Sequence, residues 1–306
     1  MAQNNIDPTL WPSLPYDEWS STRETVHMWT QIVGKVKLVL CAPENHWWHV
    51  ALYVTPLGLT TGPIPYETIT FQIDFDFVCH QLRIVTSTAN AEVITLEPKS
   101  VRTFYEEFTE ALDRLGIHIK IDTLPREVPH PIRFDEDIIH SSYDAAAVEK
   151  FRTVLIQCDR AFREFRGRFC GKSSPVHFFW GSFDIAETRF SGRMYEIQNA
   201  DGSITEISED VSLGYWPGSE SYPKAAFYAY SLPAPEGYYQ SSIDPEGAHY
   251  DEQLGEFVLE YEAVRTMLDP QQAILEFAQS TYESAANLAN WDRTHLERVI
   301  LEPIPN

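Results

Sequence analysis

The sequence predicts an α+β fold of two tandem pseudo-repeats, each a helix, an antiparallel sheet and a long C-terminal helix packed on it. Three observations lead there. In each half, segments with apolar residues at helical spacing flank runs that alternate with period two. The octapeptide Leu96-Glu97-Pro98-Lys99-Ser100-Val101-Arg102-Thr103 recurs as Leu259-Glu260-Tyr261-Glu262-Ala263-Val264-Arg265-Thr266, identical at five of eight positions. A weaker match pairs His49-Val50 and Thr61-Gly62 with His177-Phe178 and Ser191-Gly192, in the same order. The predicted layout is an N-terminal arm over 1–15, a first half over 16–123, a Pro-rich crossover over 124–143 and a second half over 144–306.

The first helix spans Tyr16 to Val33, with Trp19, Val26, Trp29 and Val33 on one stripe. The β-branched runs Val36 to Cys41 and Trp47 to Thr55 read as strands, punctuated by Gly58 and by Gly62 to Pro65. From Thr68 to Phe77, Phe71, Ile73, Phe75 and Phe77 take one face, and Gln72, Asp74 and Asp76 take the other. His80 to Thr86 and Glu92 to Glu97 complete the sheet, and Ser100 caps a helix to Leu115. Pro-rich Leu124 to Pro131 breaks the pattern. Asp144 then opens the strongest helix, in which Val148, Phe151, Leu155, Cys158, Phe162, Phe165 and Phe169 recur every three or four residues. Strands follow at Val176 to Ser182, near Thr188, at Ala225 to Tyr230 and at Phe257 to Tyr261. Pro270 starts a last long helix to Ala289, and a short one lies near Trp291 to Val299.

The chain has 306 residues, 43% of them apolar, and a net charge of −22. An acidic surface of this strength repels nucleic-acid phosphates and anionic lipid, so neither is an expected partner. No apolar run reaches membrane-spanning length, and Met1 to Leu14 has neither the basic nor the apolar region of an export signal. The expected location is therefore cytoplasmic. Cys41, Cys79, Cys158 and Cys170 fit no zinc or redox spacing and read as reduced core thiols.

Four runs carry a resemblance: Trp11-Pro12-Ser13-Leu14-Pro15, His27 to Lys35, Asn45-His46-Trp47-Trp48-His49-Val50, and Ser174 to Asp184. With Phe134 to Asp137 and Ala226 to Tyr230 they resemble an uncharacterised bacterial family catalogued as domain of unknown function 5996. The resemblance extends over nearly the whole chain and implies no particular activity, cofactor or catalytic residue.

The run His46-Trp47-Trp48-His49 is the most unusual in chemistry. In a strand His46 and His49 point to opposite faces, so they share a metal only if His46 lies in the preceding loop and a third ligand such as His27, His177 or Asp184 joins them. Packed and hydrogen-bonded strand residues are the plainer reading. In the counterpart run, His177, Phe179 and Gly181 share a face opposite Trp180 and Ser182. A histidine beside the gap left by Gly181 makes a pocket floor and a general acid or base, since imidazole titrates near neutrality. Arg160, Arg163, Arg166, Arg168 and Lys172 could clamp an anion, or pair with Asp135-Glu136-Asp137. Asp74 and Asp76 read as a solvated strand face, and the loop Asp244 to Asp251 lacks the spacing of a calcium loop. Gly171-Lys172-Ser173 lacks the upstream glycine of a phosphate loop, and no dinucleotide, zincin or hydrolase motif occurs, so no nucleotide cofactor is expected.

The leading functional expectation is binding of a small molecule in an aromatic and histidine pocket between the halves. His49 and His177 are its candidate catalytic residues, and Trp47, Trp48, Phe179, Trp180 and Asp184 its candidate ligand contacts. His46, His49 and His177 are the weak metal candidates. The alternative is a non-catalytic interaction module presenting Tyr238, Tyr239 and Trp216-Pro217-Gly218 to a partner.

Overall fold

A helix buried on nearly every side organises the molecule. In the computed structural model, which describes residues 9–199 and 201–298, α1 (Tyr16–Leu40) buries seventeen of its residues, Lys35 and Lys37 among them. Lys35 Nζ donates to the carbonyls of Asp122 and Leu124, and Lys37 Nζ to those of Ala51 and Thr61. Both ammonium groups thus find partners inside the fold. The expected strand Val36 to Cys41 is therefore the end of α1. Val36 continues the stripe of Val26, Trp29 and Val33, while the two buried lysines and Gly34 hide the helical period. The second expected strand, Trp47 to Thr55, is mostly a 3-10 segment (Asn45–Val50) with φ near +60° at His46 and Trp47. Only β1 (Tyr53–Val54) is extended there.

The first sheet continues with β2 (Gly58–Thr60), β3 (Ile64–Tyr66), β4 (Ile69–Asp76), β5 (Gln81–Thr86) and β6 (Ala91–Thr95). Its order is β1-β2-β4-β5-β6, all antiparallel, with β3 also paired to β4. Phe71, Ile73 and Phe75 face the core as the alternation requires. Asp76 is not solvated: it is 4% exposed, and its Oδ1 accepts from Val78 N and Cys79 N in the following turn. Helix α2 (Val101–Arg114) starts at Ser100, whose Oγ accepts from Thr103 N, a cap worth about 1 kcal/mol. Trp29 of α1 stacks on Phe104 of α2 at 4.7 Å.

Asp144 caps α3 (Ala145–Gly167) through the amides of Ala146 and Ala147. The second sheet comprises β7 (His177–Phe179), β8 (Asp184–Gln198), β9 (Ile204–Trp216), β10 (Ala226–Leu232), β11 (His249–Asp251) and β12 (Glu256–Glu260). Its order is β7-β8-β9-β10-β12-β11, again antiparallel. A short α4 (Tyr261–Val264) and then α5 (Pro270–Leu288) follow, and α6 (Arg293–Leu296) comes last. The expected end of that short helix, Val299, lies outside the described residues. Helix α3 packs on β8 and α5, and α5 packs on β9 and β10. Strand β9 escapes a pattern reading because its core side, Val211, Leu213 and Tyr215, is preceded by buried Glu209 and alternates with Asp210, Ser212 and Gly214.

The two sheets meet edge to edge. Leu52 and Phe178 exchange both backbone hydrogen bonds at 2.9 Å, beside β1 on one side and within β7 on the other. The whole is an α+β fold with two antiparallel sheets. Among the described residues no helix is long and apolar enough to cross a membrane. Of the four cysteines only Cys158 is a core thiol; Cys41 is half-buried, and Cys79 and Cys170 are exposed.

Candidate functional site

Two hollows adjoin where α1, the crossover and the second sheet meet. The larger, about 770 Å³, lies between α1 (Tyr16, Arg23, His27), the crossover (Glu127, His130, His140) and the end of β9 with the turn beyond it (Trp216, Ser219, Glu220, Ser221). The smaller, about 230 Å³, lies on the face of the second sheet that points away from α3 and α5. Ser182 and Trp216 line both.

Strand alternation builds the smaller hollow. On β8, Ile185, Glu187 and Arg189 turn toward the helices, so Asp184, Ala186 and Thr188 take the opposite face. Gly214 of β9 pairs with Ala186 on one side and Tyr228 of β10 on the other. A Cβ at Gly214 would lie 2.2 Å from the Tyr228 ring. Only glycine lets that ring lie across β9, from where the Tyr228 hydroxyl donates to Asp184 Oδ2. Ser182 Oγ donates to Asp184 Oδ1. Glu256 of β12, Trp216 and Tyr230 complete the lining.

Burial pushes the Asp184 carboxyl up to about 6, against the downward pull of the Ser182 and Tyr228 hydrogen bonds. Burial, reinforced by the charge of Asp184, pushes Glu256 up to about 7. Two carboxyl groups that change protonation near neutrality thus share one aromatic hollow, an arrangement suited to giving and taking protons.

In the larger cleft, His27 Nε2 donates to the carbonyls of Trp180 and Gly181 at 3.0 and 2.9 Å. Burial, helped by Arg23, drives that imidazole down to about 3, so it is neutral at physiological pH. His140 is the opposite case: its hydrogen bond to Asp137 at 2.6 Å raises its pKa and favours the imidazolium.

The residues singled out from the sequence divide between this site and others. Asp184 is in it. Trp180 is adjacent but serves packing: its indole fills the space over Gly34, and its Nε1 donates to Val50 O at 2.9 Å. The expected gap at Gly181 is filled by the Glu127 carboxylate, whose Oε1 lies 2.7 Å from where a Cβ would be. His49 and His177 are in neither lining. His49 lies in the last turn of the 3-10 segment instead of in a strand, and its Nδ1 accepts from Glu44 N at 3.1 Å. His177 is 1% exposed, boxed by Trp48, Tyr53 and Phe179 at ring distances of 5.3–5.8 Å, with neither ring nitrogen partnered among the described residues. Burial takes it down to about 4. Trp47 is 64% exposed and stacks on His49, while His46 packs on Phe190 and sits 3.1 Å from Lys172 Nζ. Among the described residues no three His, Cys, Asp or Glu side chains converge on a metal position.

The arginines of α3 use local partners and not the segment Asp135-Glu136-Asp137. Arg163 pairs with Asp159 at 2.6 Å, Arg168 with Glu164 at 2.8 Å, and Arg166 Nε donates to Ser174 O. Arg133 faces Asp135 and Glu136. The aromatic residues of the interaction-module alternative are largely enclosed: Tyr238 is buried, Tyr239 packs on Tyr250 at 4.4 Å, and Trp216 stacks on Tyr222 while lining both hollows. Sequence reasoning missed Arg23, His140, Tyr228 and Glu256 as site residues. The available signals were the one-turn spacing of Arg23 and His27 on an otherwise buried helix face, and Tyr228 and Tyr230 alternating with core Phe227 and Ala229.

With the fold and site in view, the chain belongs to the family of unknown function DUF5996, whose model matches residues 11–298. No curated protein and no solved structure matches it.

Proposed function

We propose that this chain binds a small organic molecule across the two adjoining hollows, and that Asp184, facing Glu256, exchanges a proton with it. The observation that carries this is Asp184 itself: a buried carboxyl on the hollow's wall, fixed by Ser182 and by Tyr228 reaching over Gly214. Hydrogen bonds from Ser182 and from Tyr228, two strands away, hold the carboxyl in place, as a proton-transfer group requires. The volumes suit a small ligand, and the aromatic lining of the smaller hollow suits its apolar part.

We further infer a two-copy architecture, which several agreements support. The repeated octapeptide leaves β6 for α2 in one copy and β12 for α4 in the other. Each sheet is an antiparallel series starting at the Leu52–Phe178 junction, where a pseudo-twofold axis would pass. On this view the larger cleft lies between copies.

A small-metabolite thermal-shift screen tests binding. Ligands that raise the native midpoint should lose their effect in Ala226→Leu, which fills the smaller hollow. Hits that stabilise this variant equally would place binding elsewhere. Carboxyl-carbon NMR tests the proton-transfer group. Asp184 should titrate near pH 6, and both Tyr228→Phe and Gly214→Ala should move its midpoint upward, since each removes the hydrogen bond that favours the carboxylate. A midpoint near that of a free aspartate, or one insensitive to both changes, would remove Asp184 from this role.

A further inference from the structure

Arg23 has no ion pair and no hydrogen bond among the described residues, yet it is 6% exposed. Its Nε is buried without a partner, and its guanidinium stands 5.3 Å from the centre of the Phe183 ring. Every other strongly buried cation among the described residues is supplied with oxygen acceptors: Lys35 and Lys37 by carbonyls, and Arg189 by Phe165 O. A guanidinium is always charged and presents a planar fork of donors that matches an oxyanion. Burying one without an acceptor is costly unless a ligand completes it. Arg23 lines the larger cleft, so the missing acceptor has room to enter.

We infer that the ligand of this site is a monocarboxylate whose carboxylate docks on Arg23 while its remainder runs past Ser182 and Trp216 into the smaller hollow. This rests on the small-molecule reading above and names the ligand class. The surroundings choose the kind of anion. Glu24 on α1, Glu127 on the crossover and Glu220 beyond β9 also line the cleft. Glu127 and Glu220 are exposed at the rim, and Glu24 is half-buried with the Tyr16 hydroxyl 3.5 Å away. The groups opposite them that can carry positive charge are Arg23 and His140, the latter already engaged by Asp137. One free positive charge within an acidic rim suits a single negative charge and disfavours a dianionic phosphate or a polyanion.

The test uses benzoate, benzamide and phenyl phosphate as matched probes on the full chain, followed by nitrogen-15 NMR of arginine Nε–H groups and of backbone amides. Benzoate is expected to move the Arg23 Nε–H resonance and the amides of Ser182 and Trp216, and to bind at least tenfold more tightly than benzamide. Arg23→Met should abolish that preference while leaving the unfolding midpoint unchanged or higher, because it removes a buried, unpaired charge. Arg23→Lys should retain part of it. If Arg23→Met lowers the midpoint severely, the arginine is structural and the inference falls. If phenyl phosphate binds more tightly than benzoate, the assigned class is wrong. If benzoate and benzamide bind alike at Ser182 and Trp216 in both proteins, the carboxylate inference fails and the small-molecule reading stands. If no probe perturbs the cleft up to its solubility, both fail.

Discussion

Gly34→Ala is expected to destabilise the protein by about 3 kcal/mol, although alanine is the better helix former. The position lies inside α1, where exchanging glycine for alanine normally gains about 1 kcal/mol. Here the added Cβ would lie 2.1 Å from Trp180 Cδ1 and 2.2 Å from its Nε1. The indole cannot yield locally, because its Nε1 is tied to Val50 O and it is 5% exposed among core neighbours. Displacing a buried tryptophan forfeits most of its packing, about 3–5 kcal/mol, and this outweighs the propensity gain. The mechanism fixes a sign reversal. In a Trp180→Ala background the same change should be neutral or stabilising by up to about 1 kcal/mol. Denaturant unfolding of the four proteins of the cycle measures this, and an equal cost in both backgrounds would exclude the Trp180 contact as the cause.

The same contact links packing to the site. Trp180 and Gly181 supply the carbonyls that hold His27, and Ser182 after them holds Asp184. A tryptophan seated on a glycine of α1 thus positions the two residues that follow it, Gly181 against His27 and Ser182 on the cleft wall. Seen this way, the run Trp180-Gly181-Ser182-Phe183-Asp184 owes its composition to two tasks, fastening α1 to the second sheet and aiming a carboxyl into the smaller hollow.

What could be read from the sequence follows from where each signal resides. Helices α2, α3 and α5 were legible because one face of each is apolar and their start signals, Ser100, Asp144 and Pro270, are local. Strands β4 and β5 were legible because the first sheet buries one face. The end of α1 was not, because a helix enclosed on all sides has no polar face to mark its period, and its lysines are neutralised by carbonyls distant in sequence. Asp184 could be singled out from its aromatic setting. Tyr228 and Glu256 join it only through strand order, which local patterns carry weakly, and Arg23 lines the adjoining cleft from α1. The two histidines that looked most reactive occupy other surroundings, one in a local turn and one in an aromatic box. Unusual composition marked the junction between the sheets more strongly than it marked the hollows.

Glu187→Gln is expected to raise stability by about 3 kcal/mol at pH 8 and to leave it unchanged at pH 4. Glu187 lies on the helix-facing side of β8, is fully buried, and neither carboxylate oxygen has a partner among the described residues. Burial pushes its pKa from 4.5 up to about 7, although Arg189 and Arg166 pull it down. The native state therefore holds this proton more tightly than the unfolded chain does. Below pH 4.5 both states are protonated and the stabilisation from the raised pKa is fully present. As pH rises from 4.5 to about 7, the unfolded chain releases its proton first, and stability falls until the native carboxyl ionises as well. A shift of about 2.5 units corresponds to roughly 3 kcal/mol. Glutamine keeps the shape and removes the titration, so the loss between those pH values disappears from the variant. Asp184, Asp210 and Glu256 contribute in the same direction, their pKa values raised to about 6, 7 and 7. His27 and His177, lowered to about 3 and 4, act oppositely, their contribution present above pH 6.5 and lost as pH falls. These terms are common to both proteins, so the difference between native and variant unfolding free energies isolates Glu187. A difference that stays flat from pH 4 to pH 8 would mean that this carboxyl is paired or solvated in the folded protein.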